Sequence, residues 1–406
     1  SAYSVGQNLD IEALSDSGAL SVTYGADRQS ITIGGLTNVT TVKLTALVSK
    51  NIVSRKIKTA SKMRAMKITR TAKQQDVQRF GLLYGGLYGT RIEDTEISFG
   101  LNDVYKLHAV YESSDDNPPK IPYIVLSEAT FFAPGTVITG GTSGARAIVV
   151  SFINSTLRLY NVDLNGTQFS PGETVTGVDT DNNVLTATID DADGSVEKGS
   201  KVITNQYELN QAQNPFFYDV SRLVRKPGTT PPTRQLMAVF DYFIHEASGD
   251  YFSGQSYTGI EFSDIPSPIL KGSSQTVRDQ IDFRPAVGEL ATGQGTVGSP
   301  FEVTCATLDF DARQFSTTGQ GAGAAAAATL FDIPKAETEF RCDFDYYLPR
   351  TDKLFLTHDN KLQLLKGNSS EDPQPPDNMQ NAMCLATLKH RACLLYTSPS
   401  PRDRLK

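Results

Sequence analysis

The most regular pattern along the chain is an alternation of apolar and polar residues, which is typical of half-buried β-strands. It occurs in Ser21–Tyr24 and in Ser30–Ile33, which flank a polar turn and predict a hairpin. It returns in Ile97–Leu101 and Val104–Tyr111. Near the C-terminus the same alternation occurs before and after His358–Asn360, which predicts a second hairpin turn.

Helical candidates are few. Arg64–Phe80 and Asn214–Leu223 are the two segments that could contain a short helix. Together these patterns predict a mainly β protein, built from several small antiparallel sandwich-like or barrel-like domains in series, with few short helices.

An internal repeat is the clearest feature of the middle of the chain. Phe132–Gly140 matches Phe169–Gly177, and the strands predicted downstream of each segment match at the same offset. Each repeat opens on a Pro-Gly pair, in which Pro presets φ and Gly accepts a positive φ. The turn residues are Pro134, Gly135, Pro171 and Gly172. We interpret residues 128–192 as a two-repeat β-module inserted into a larger domain, because one hairpin alone cannot bury its apolar face.

Domain boundaries are predicted from the polar linkers that flank this module. The N-terminal β-rich domain spans 1–127 and is expected to be truncated at its start, and the inserted module spans 128–192. A β-rich domain at 193–300 completes the main body, and a truncated β-domain occupies 301–392. Residues 393–406 resemble the translated product of a sequencing adaptor, so we expect the natural chain to continue beyond about residue 392.

Composition and charge narrow the classes of function. The chain has 406 residues, a formal net charge of −7 and four isolated Cys. The charge argues against nucleic acid as the main partner, and the apolar runs are too short to span a bilayer. Isolated Cys suggest neither a disulfide framework nor a metal site and fit folding in a reducing cytoplasm. We therefore expect no cofactor, no nucleic-acid partner and no membrane association.

A basic stretch stands out against the acidic chain. Lys43–Lys73 contains ten Lys or Arg. These residues either contact an acidic partner or lie on solvated faces of the protein, and we favour the second interpretation because most charged surface blocks have no partner.

Candidate chemistry is sparse. His108 alternates with apolar residues and is predicted to be packed or surface-facing, whereas His358 falls in a predicted turn. Gly141–Gly144 has part of a nucleophile-elbow pattern but lies in a repeat turn. Asp179, Asp181 and Asn183 form a weak calcium candidate, because the Gly and the closing Glu of the standard loop are missing. A plain hairpin turn is the favoured interpretation.

Two Pro-Arg blocks are predicted to be structural clasps that fix one β-element against the next. The clasp candidates are Asp282, Phe283, Arg284 and Pro285 in the first block, and Tyr347, Pro349, Arg350 and Asp352 in the second. Each block offers a ring to bury and a guanidinium that suits a carboxylate. The predicted acid partners of the two Arg are Asp279, Asp282 or Asp345.

Four blocks of sequence carry a family resemblance. They are Tyr88–Ser98 with Asp103–Ser113, the two Pro-Gly repeats, Gly249–Pro285, and Asp345–Asp352 with Lys366–Pro376. Together they resemble large virion structural proteins of T4-like marine phages, particularly cyanophages. The last block resembles a phage-protein domain of unknown function assigned to tail or baseplate components, and its Leu-Pro-Arg-Thr-Asp departs slightly from the family pattern.

The resemblance implies a structural virion protein of the tail, baseplate or fibre region, folded in the host cytoplasm and without catalytic activity. Its implied partners are other virion proteins and copies of itself, with a trimer favoured. One alternative is a module that binds a host receptor or surface glycan, with residues 128–192 as the exposed domain. Tyr84, Tyr88, Tyr251, Phe252 and Tyr257 could stack on sugars, although such residues are more often core or interface anchors. A less favoured alternative is a β-rich polysaccharide depolymerase, which would need paired acids in a groove.

Overall fold

A computed structural model describes residues 20–26, 30–36, 47, 49–50, 52–69, 89–161, 167–179, 181–246, 249–260, 265–266, 280–287, 294–296, 298–303, 315–316, 334–335, 337–342 and 348–392. The first strands are β1 (Ser21–Tyr24), β2 (Ile31–Gly34), β3 (Lys58–Ile68), β4 (Glu96–Asn102), β5 (Val104–Glu112), β6 (Tyr123–Val125), β7 (Val137–Gly140) and β8 (Arg146–Ile153). Next come β9 (Thr156–Asn161), β10 (Thr174–Val178), β11 (Val184–Thr188), β12 (Val196–Glu197), β13 (Lys201–Val202), β14 (Tyr207–Asn210), β15 (Val220–Arg225) and β16 (Leu236–His245). The last are β17 (Tyr257–Thr258), β18 (Ala286–Val287), β19 (Phe301–Glu302), β20 (Phe315–Ser316), β21 (Arg350–Thr357), β22 (Leu362–Leu365) and β23 (Ala382–His390).

The predicted fold class is confirmed: the described residues are mainly β and form several small, separate, mostly antiparallel sheets, none of which closes into a barrel. Their only helical segments are two 3₁₀ turns, at Thr204–Gln206 and Gly254–Ser256. The chain forms two compact units, Ser1–Asn51 and Ile52–Lys406. In the first unit β1 and β2 pair as the predicted hairpin.

The central sheet of the second unit has the strand order β13-β5-β16-β3-β17, with β19 also paired to β3. Nearly every residue of β16 is buried, because sheet neighbours lie on both of its edges and cores cover both of its faces. On β3, Met63 and Ala65 pack into one core, whereas Met66 and Ile68 pack into the other. This sheet therefore fixes the backbone from which the candidate site is built.

The two predicted helical segments are wrong where the structure describes them. Residues 64–68 belong to β3, and residues 220–223 belong to β15. Because β3 is covered on both faces, its apolar residues do not alternate simply with polar ones, and its pattern is ambiguous between helix and strand. The remainder of the first segment, residues 70–80, lies outside the described residues.

The repeat module lies in a seven-stranded sheet with the order β11-β10-β7-β8-β9-β6-β12. The two repeat hairpins, β7-β8 and β10-β11, are joined in one sheet because β7 pairs with β10. The sheet curls around a core that contains both Phe132 and Phe169. Its ends approach each other where the Ser127 amide donates to the Thr188 carbonyl at 2.9 Å. The curl explains how side-by-side hairpins bury a shared apolar face.

The Pro-Gly turns have the predicted backbone. Gly135 has φ +93° and Gly172 has φ +74°, a region that favours glycine. Pro134 and Pro171 precede them at the start of each hairpin.

One carboxylate joins the two repeats. Glu173, at the second Pro-Gly turn, accepts hydrogen bonds from the Ser143 amide at 2.9 Å, the Ser143 hydroxyl at 2.8 Å, the Thr142 amide at 3.1 Å and the Ser170 amide at 2.7 Å. Burial alone would raise the pKa of Glu173, but the hydrogen bonds from Ser143 and Ser170 outweigh it and lower the pKa. The Gly141–Gly144 turn is therefore a clamped turn held by an ionised acid.

We expect Glu173→Gln to lower the free energy of unfolding by about 1–3 kcal/mol at neutral pH, because four partly buried hydrogen bonds lose their charged acceptor. The folded-state pKa is depressed, so this contribution is fully present above the ordinary value of 4.5 and is lost as the pH falls through the lowered pKa. Thermal unfolding of wild type and variant, at neutral pH and below pH 4.5, measures the difference. Glu128→Gln is the control, since Glu128 is exposed and accepts a hydrogen bond from the Thr188 amide. An equal loss in both variants, or a loss independent of pH, would contradict the clamp.

The C-terminal sheet is three-stranded, with β21 between β22 and β23. The predicted hairpin turn at His358–Asn360 is confirmed, and Asn360 adopts φ +57° there. Cross-strand partners share a face, so Leu354, Leu364 and Ala386 lie on the same face of this sheet.

Candidate functional site

A buried lysine lies at the centre of the candidate site. Lys58, the first residue of β3, has a fully buried side chain. Its Nζ lies 2.6 Å from Asp103 Oδ2 and donates to the Tyr218 hydroxyl at 3.1 Å. A charged group so deep in the protein requires such partners, because desolvating an ammonium costs several kcal/mol. This lysine of the basic stretch is therefore neither solvated nor in contact with an external partner.

Asp103 is held from three sides. It lies between β4 and β5 with φ +57°, an uncommon backbone conformation that aspartate tolerates. His245 Nε2, at the end of β16, lies 2.8 Å from Oδ2, and the Gln213 side-chain amide donates to Oδ1 at 3.1 Å. Both oxygens of this carboxylate are thus fixed by the surrounding strands.

The first predicted clasp block adjoins this centre. The Arg284 guanidinium donates to Asp282 through Nε at 2.9 Å and Nη2 at 2.8 Å, and through Nη1 to the Asn214 carbonyl at 2.6 Å. The Tyr218 hydroxyl donates to Asp282, and the guanidinium lies 4.2 Å above the Tyr218 ring centroid. Pro285 adds a backbone contact, because its carbonyl accepts from the Tyr218 amide at 2.9 Å. Asp282, one of the three acids predicted to pair with the arginines, therefore contacts Arg284.

Aromatic rings enclose the polar atoms. Lys58 Nζ lies 4.6 Å from the Phe252 ring centroid and 5.2 Å from that of Tyr257. Phe283 packs against Tyr251, with ring centroids 5.7 Å apart. Tyr251 and Phe252 are buried, and Tyr257 packs edge-on against a neighbouring ring. These rings are therefore not an exposed platform for stacking sugars.

Burial and pairing set the charge state of the centre. Burial alone would raise the pKa of Asp103, but Lys58 and His245 outweigh it and hold that pKa well below its usual value. Burial and the neighbouring Lys58 lower the pKa of His245, so its imidazole is neutral. Burial raises the pKa of Tyr218. The resting centre therefore has two ion pairs, Lys58–Asp103 and Arg284–Asp282, joined through a neutral tyrosine.

The second predicted clasp block lies in the C-terminal sheet. Arg350 Nε donates to Asp352 Oδ1 at 2.9 Å, and the fully buried Asp352 also accepts from the Gly367 amide at 2.9 Å. Asp352 is therefore a partner of Arg350, although it was not among the three acids predicted to pair with the arginines. His390 Nε2, on β23, lies 3.1 Å from Asp352 Oδ2. The Pro349 carbonyl accepts from the Ser370 amide at 3.2 Å. Tyr347, together with the proposed acid partners Asp279 and Asp345, lies outside the described residues.

The weak calcium candidate is a hydrogen-bonded turn between β10 and β11. Asp179 Oδ1 accepts from the amides of Asp181 at 2.9 Å and Asn183 at 2.8 Å, and Oδ2 accepts from the Asn183 side chain at 3.0 Å. In the part of the chain that the structure describes, no group of three or more His, Cys, Asp or Glu is placed to hold a metal ion.

The two histidines considered in the sequence analysis, His108 and His358, each lie beside a carboxylate and outside the candidate site. The His108 ring is buried, with Nε2 2.8 Å from Asp241 Oδ1. His358 is largely exposed in its turn, 3.0 Å from Asp359.

Sequence reasoning found Asp282 and Arg284 but missed Lys58, Asp103, Tyr218 and His245. These four belong to segments that are far apart in sequence and follow no common motif. The available signals were a lysine at the start of a strand and an Asp that separates two strongly alternating strands.

Comparison with known proteins covers part of the chain. Residues 271–392 match a family model described as "Domain of unknown function (DUF4815)". This range includes the Asp282–Pro285 block and the C-terminal sheet, so a domain of unknown function is present where the resemblance implied one. No curated protein and no solved structure is significantly similar to the chain. None of the helical segments in the described ranges has the length and apolarity needed to cross a bilayer.

Proposed function

We propose that the protein is a structural component of a bacteriophage virion, in the tail or baseplate, that acts by assembling with copies of itself and with other virion proteins. The phage assignment rests on the sequence resemblance. The assembly function is supported by one surface of the C-terminal sheet, and the enclosed candidate site fits a structural role.

The observation that carries the proposal is an exposed apolar sheet face. Leu362 and Met383 flank Leu356 on neighbouring strands, and both are 67% exposed. Leu364 and Leu388 extend the same face and are 45% and 40% exposed. A contiguous apolar patch of this kind marks an interaction surface more often than a free one.

A second copy of the chain suits this face. Arg350 and Asp352 lie on this face at the start of β21, away from Leu362 and Met383, and they pair with each other, so their opposite charges offset one another. The same surface can therefore meet itself without placing like charges together. Three copies around an axis, each presenting this face inward, would bury the leucines and Met383.

The candidate site supports a structural role over catalysis. Its polar groups pair with one another, and the side chains of Lys58, Asp103 and His245 are at most 5% exposed. An external substrate would have to displace packed aromatic rings to reach them.

We expect the double variant Leu362→Lys/Met383→Lys to be monomeric, whereas the wild-type chain forms a homo-oligomer, with a trimer expected. Burying lysines in an apolar interface removes its hydrophobic gain and adds a desolvation cost. Light scattering coupled to size exclusion, over a range of concentrations, measures the mass. Val184→Lys is the matched control, because Val184 is 69% exposed on the repeat module.

A monomeric wild-type chain at all concentrations would overturn assembly through this face, as would an unchanged oligomer in the double variant. The phage assignment has its own test in the neighbouring reading frames of the source DNA. Tail-sheath or baseplate neighbours support it, and metabolic neighbours overturn it.

A further inference from the structure

The contact between Lys58 and Asp103 has the arrangement that amide formation requires. The amine nitrogen lies 2.6 Å from Asp103 Oδ2 in a site closed to bulk water. Because a carbon–oxygen bond is ~1.2 Å long, the nitrogen is at most about 3.8 Å from the carboxyl carbon. That limit is close to the ~3–3.5 Å separation of a near-attack geometry.

We infer that Lys58 and Asp103 condense spontaneously into an intramolecular amide, an isopeptide bond that links β3 to the junction of β4 and β5. The inference does not depend on the proposed virion role.

Both reacting groups are fixed before reaction. The Lys58 backbone pairs with His245 on one side and with Tyr257 on the other. The Asp103 carbonyl accepts from the Phe243 amide at 3.2 Å, and the following residue, Val104, donates its amide to Ser221 Oγ at 3.1 Å. Rigid placement of this kind replaces a bimolecular encounter and gives high effective concentrations of the reacting groups.

The two carboxylate oxygens of Asp103 and the amine nitrogen of Lys58 each have a neighbour that can stabilise charge or carry a proton during the reaction. The Gln213 amide donates to Oδ1, where negative charge develops in the tetrahedral intermediate. His245 Nε2 contacts Oδ2, the departing oxygen, and stabilises it by hydrogen bonding. On the other side, Lys58 Nζ contacts the Tyr218 hydroxyl, which in turn contacts the Asp282 carboxylate.

The protons balance without an external reagent. One ammonium proton first moves along the Nζ–Oδ2 contact, which leaves a neutral amine and a carboxylic acid. Burial favours this neutral pair, although mutual attraction makes the ion pair the resting state.

The amine then attacks the carboxyl carbon. A second proton passes from nitrogen through the Tyr218 hydroxyl to Asp282. When the Cγ–Oδ2 bond breaks, this proton returns through the Tyr218 hydroxyl to the departing hydroxide, which leaves as water. The products are one amide and one water, with no oxidation or reduction.

The test is the intact mass of the purified full-length chain under denaturing conditions. We expect a mass lower than the sequence mass by one water molecule. After proteolysis, tandem mass spectrometry is expected to show a branched peptide that joins Lys58 to Asp103. Lys58→Met is expected to restore the full sequence mass. Lys67→Met is the matched control, because Lys67 is also on β3 and pairs with Glu302 at 2.5 Å near the surface, and this variant keeps the loss of water.

A wild-type chain with the full sequence mass overturns the inference, and so does a loss of water located anywhere other than this lysine and this aspartate. The wild-type measurement decides the question even if Lys58→Met does not fold, since it needs no variant.

Discussion

Replacing Arg284 by alanine is expected to lower the free energy of unfolding by about 3–5 kcal/mol, because it leaves the buried Asp282 carboxylate without its cation. The Arg284 and Asp282 side chains are 9% and 6% exposed, so water replaces the lost partner poorly. The variant also loses the bond to the Asn214 carbonyl and the stacking on Tyr218. Chemical denaturation of wild type and variant at neutral pH measures the difference.

Arg350→Ala is the matched control for this prediction. Its guanidinium also pairs with an Asp two residues away, but the side chain is 33% exposed, and Asp352 keeps its bond from the Gly367 amide. We therefore expect a smaller loss, of about 1 kcal/mol. Equal losses would show that burial does not decide the strength of these pairs, and no loss in either variant would end the interpretation of both blocks as clasps.

Replacing Asp94 by alanine is expected to destabilise the protein by a similar amount, about 3–5 kcal/mol, because it removes a fully buried carboxylate that pairs with the buried Arg91 guanidinium. Asp94 is fully buried and accepts from the Thr90 amide at 2.9 Å, the Arg91 amide at 3.0 Å and Arg91 Nη2 at 3.2 Å. This turn sets the start of β4, the strand that leads into Asp103. Loss of the Asp94 hydrogen bonds is therefore expected to disturb the position of Asp103 in the candidate site as well.

Glu93→Ala is the control, since Glu93 is the adjacent acid and is only partly buried. Denaturation curves for the two variants, together with the intact mass of each, separate global stability from the Lys58–Asp103 geometry. If Asp94→Ala costs no more than Glu93→Ala, the turn does not depend on its buried carboxylate.

The local parts of the fold were predictable because short-range physics sets them. The Ser21–Tyr24 hairpin and the turn at His358–Asn360 follow from alternation and turn residues within a few positions. The Pro-Gly turns follow from the φ that Gly135 and Gly172 accept. The helix predicted from Arg64 failed because β3 has a core on each face, and that environment depends on strands far away in sequence.

The candidate site was predictable only in part. Asp282 and Arg284 are two residues apart, and the sequence offered Asp282 as one of three possible partners. Lys58 and Asp103 are 45 residues apart, and Lys58 and Tyr218 are 160 apart, so no local pattern joins them. Glu173 likewise looked like an ordinary turn residue until its four donors were placed around it.

By itself, the sequence determined that this protein is mainly β and where its hairpins turn, and it offered Asp282 as one possible acid partner of the arginines. These properties depend on backbone preferences and on neighbours within a few residues. Only the tertiary structure decided that a lysine from the basic stretch is buried against Asp103, and that one face of the C-terminal sheet is left apolar and exposed. Burial is a property of the whole packed chain, because it depends on which distant strands become neighbours.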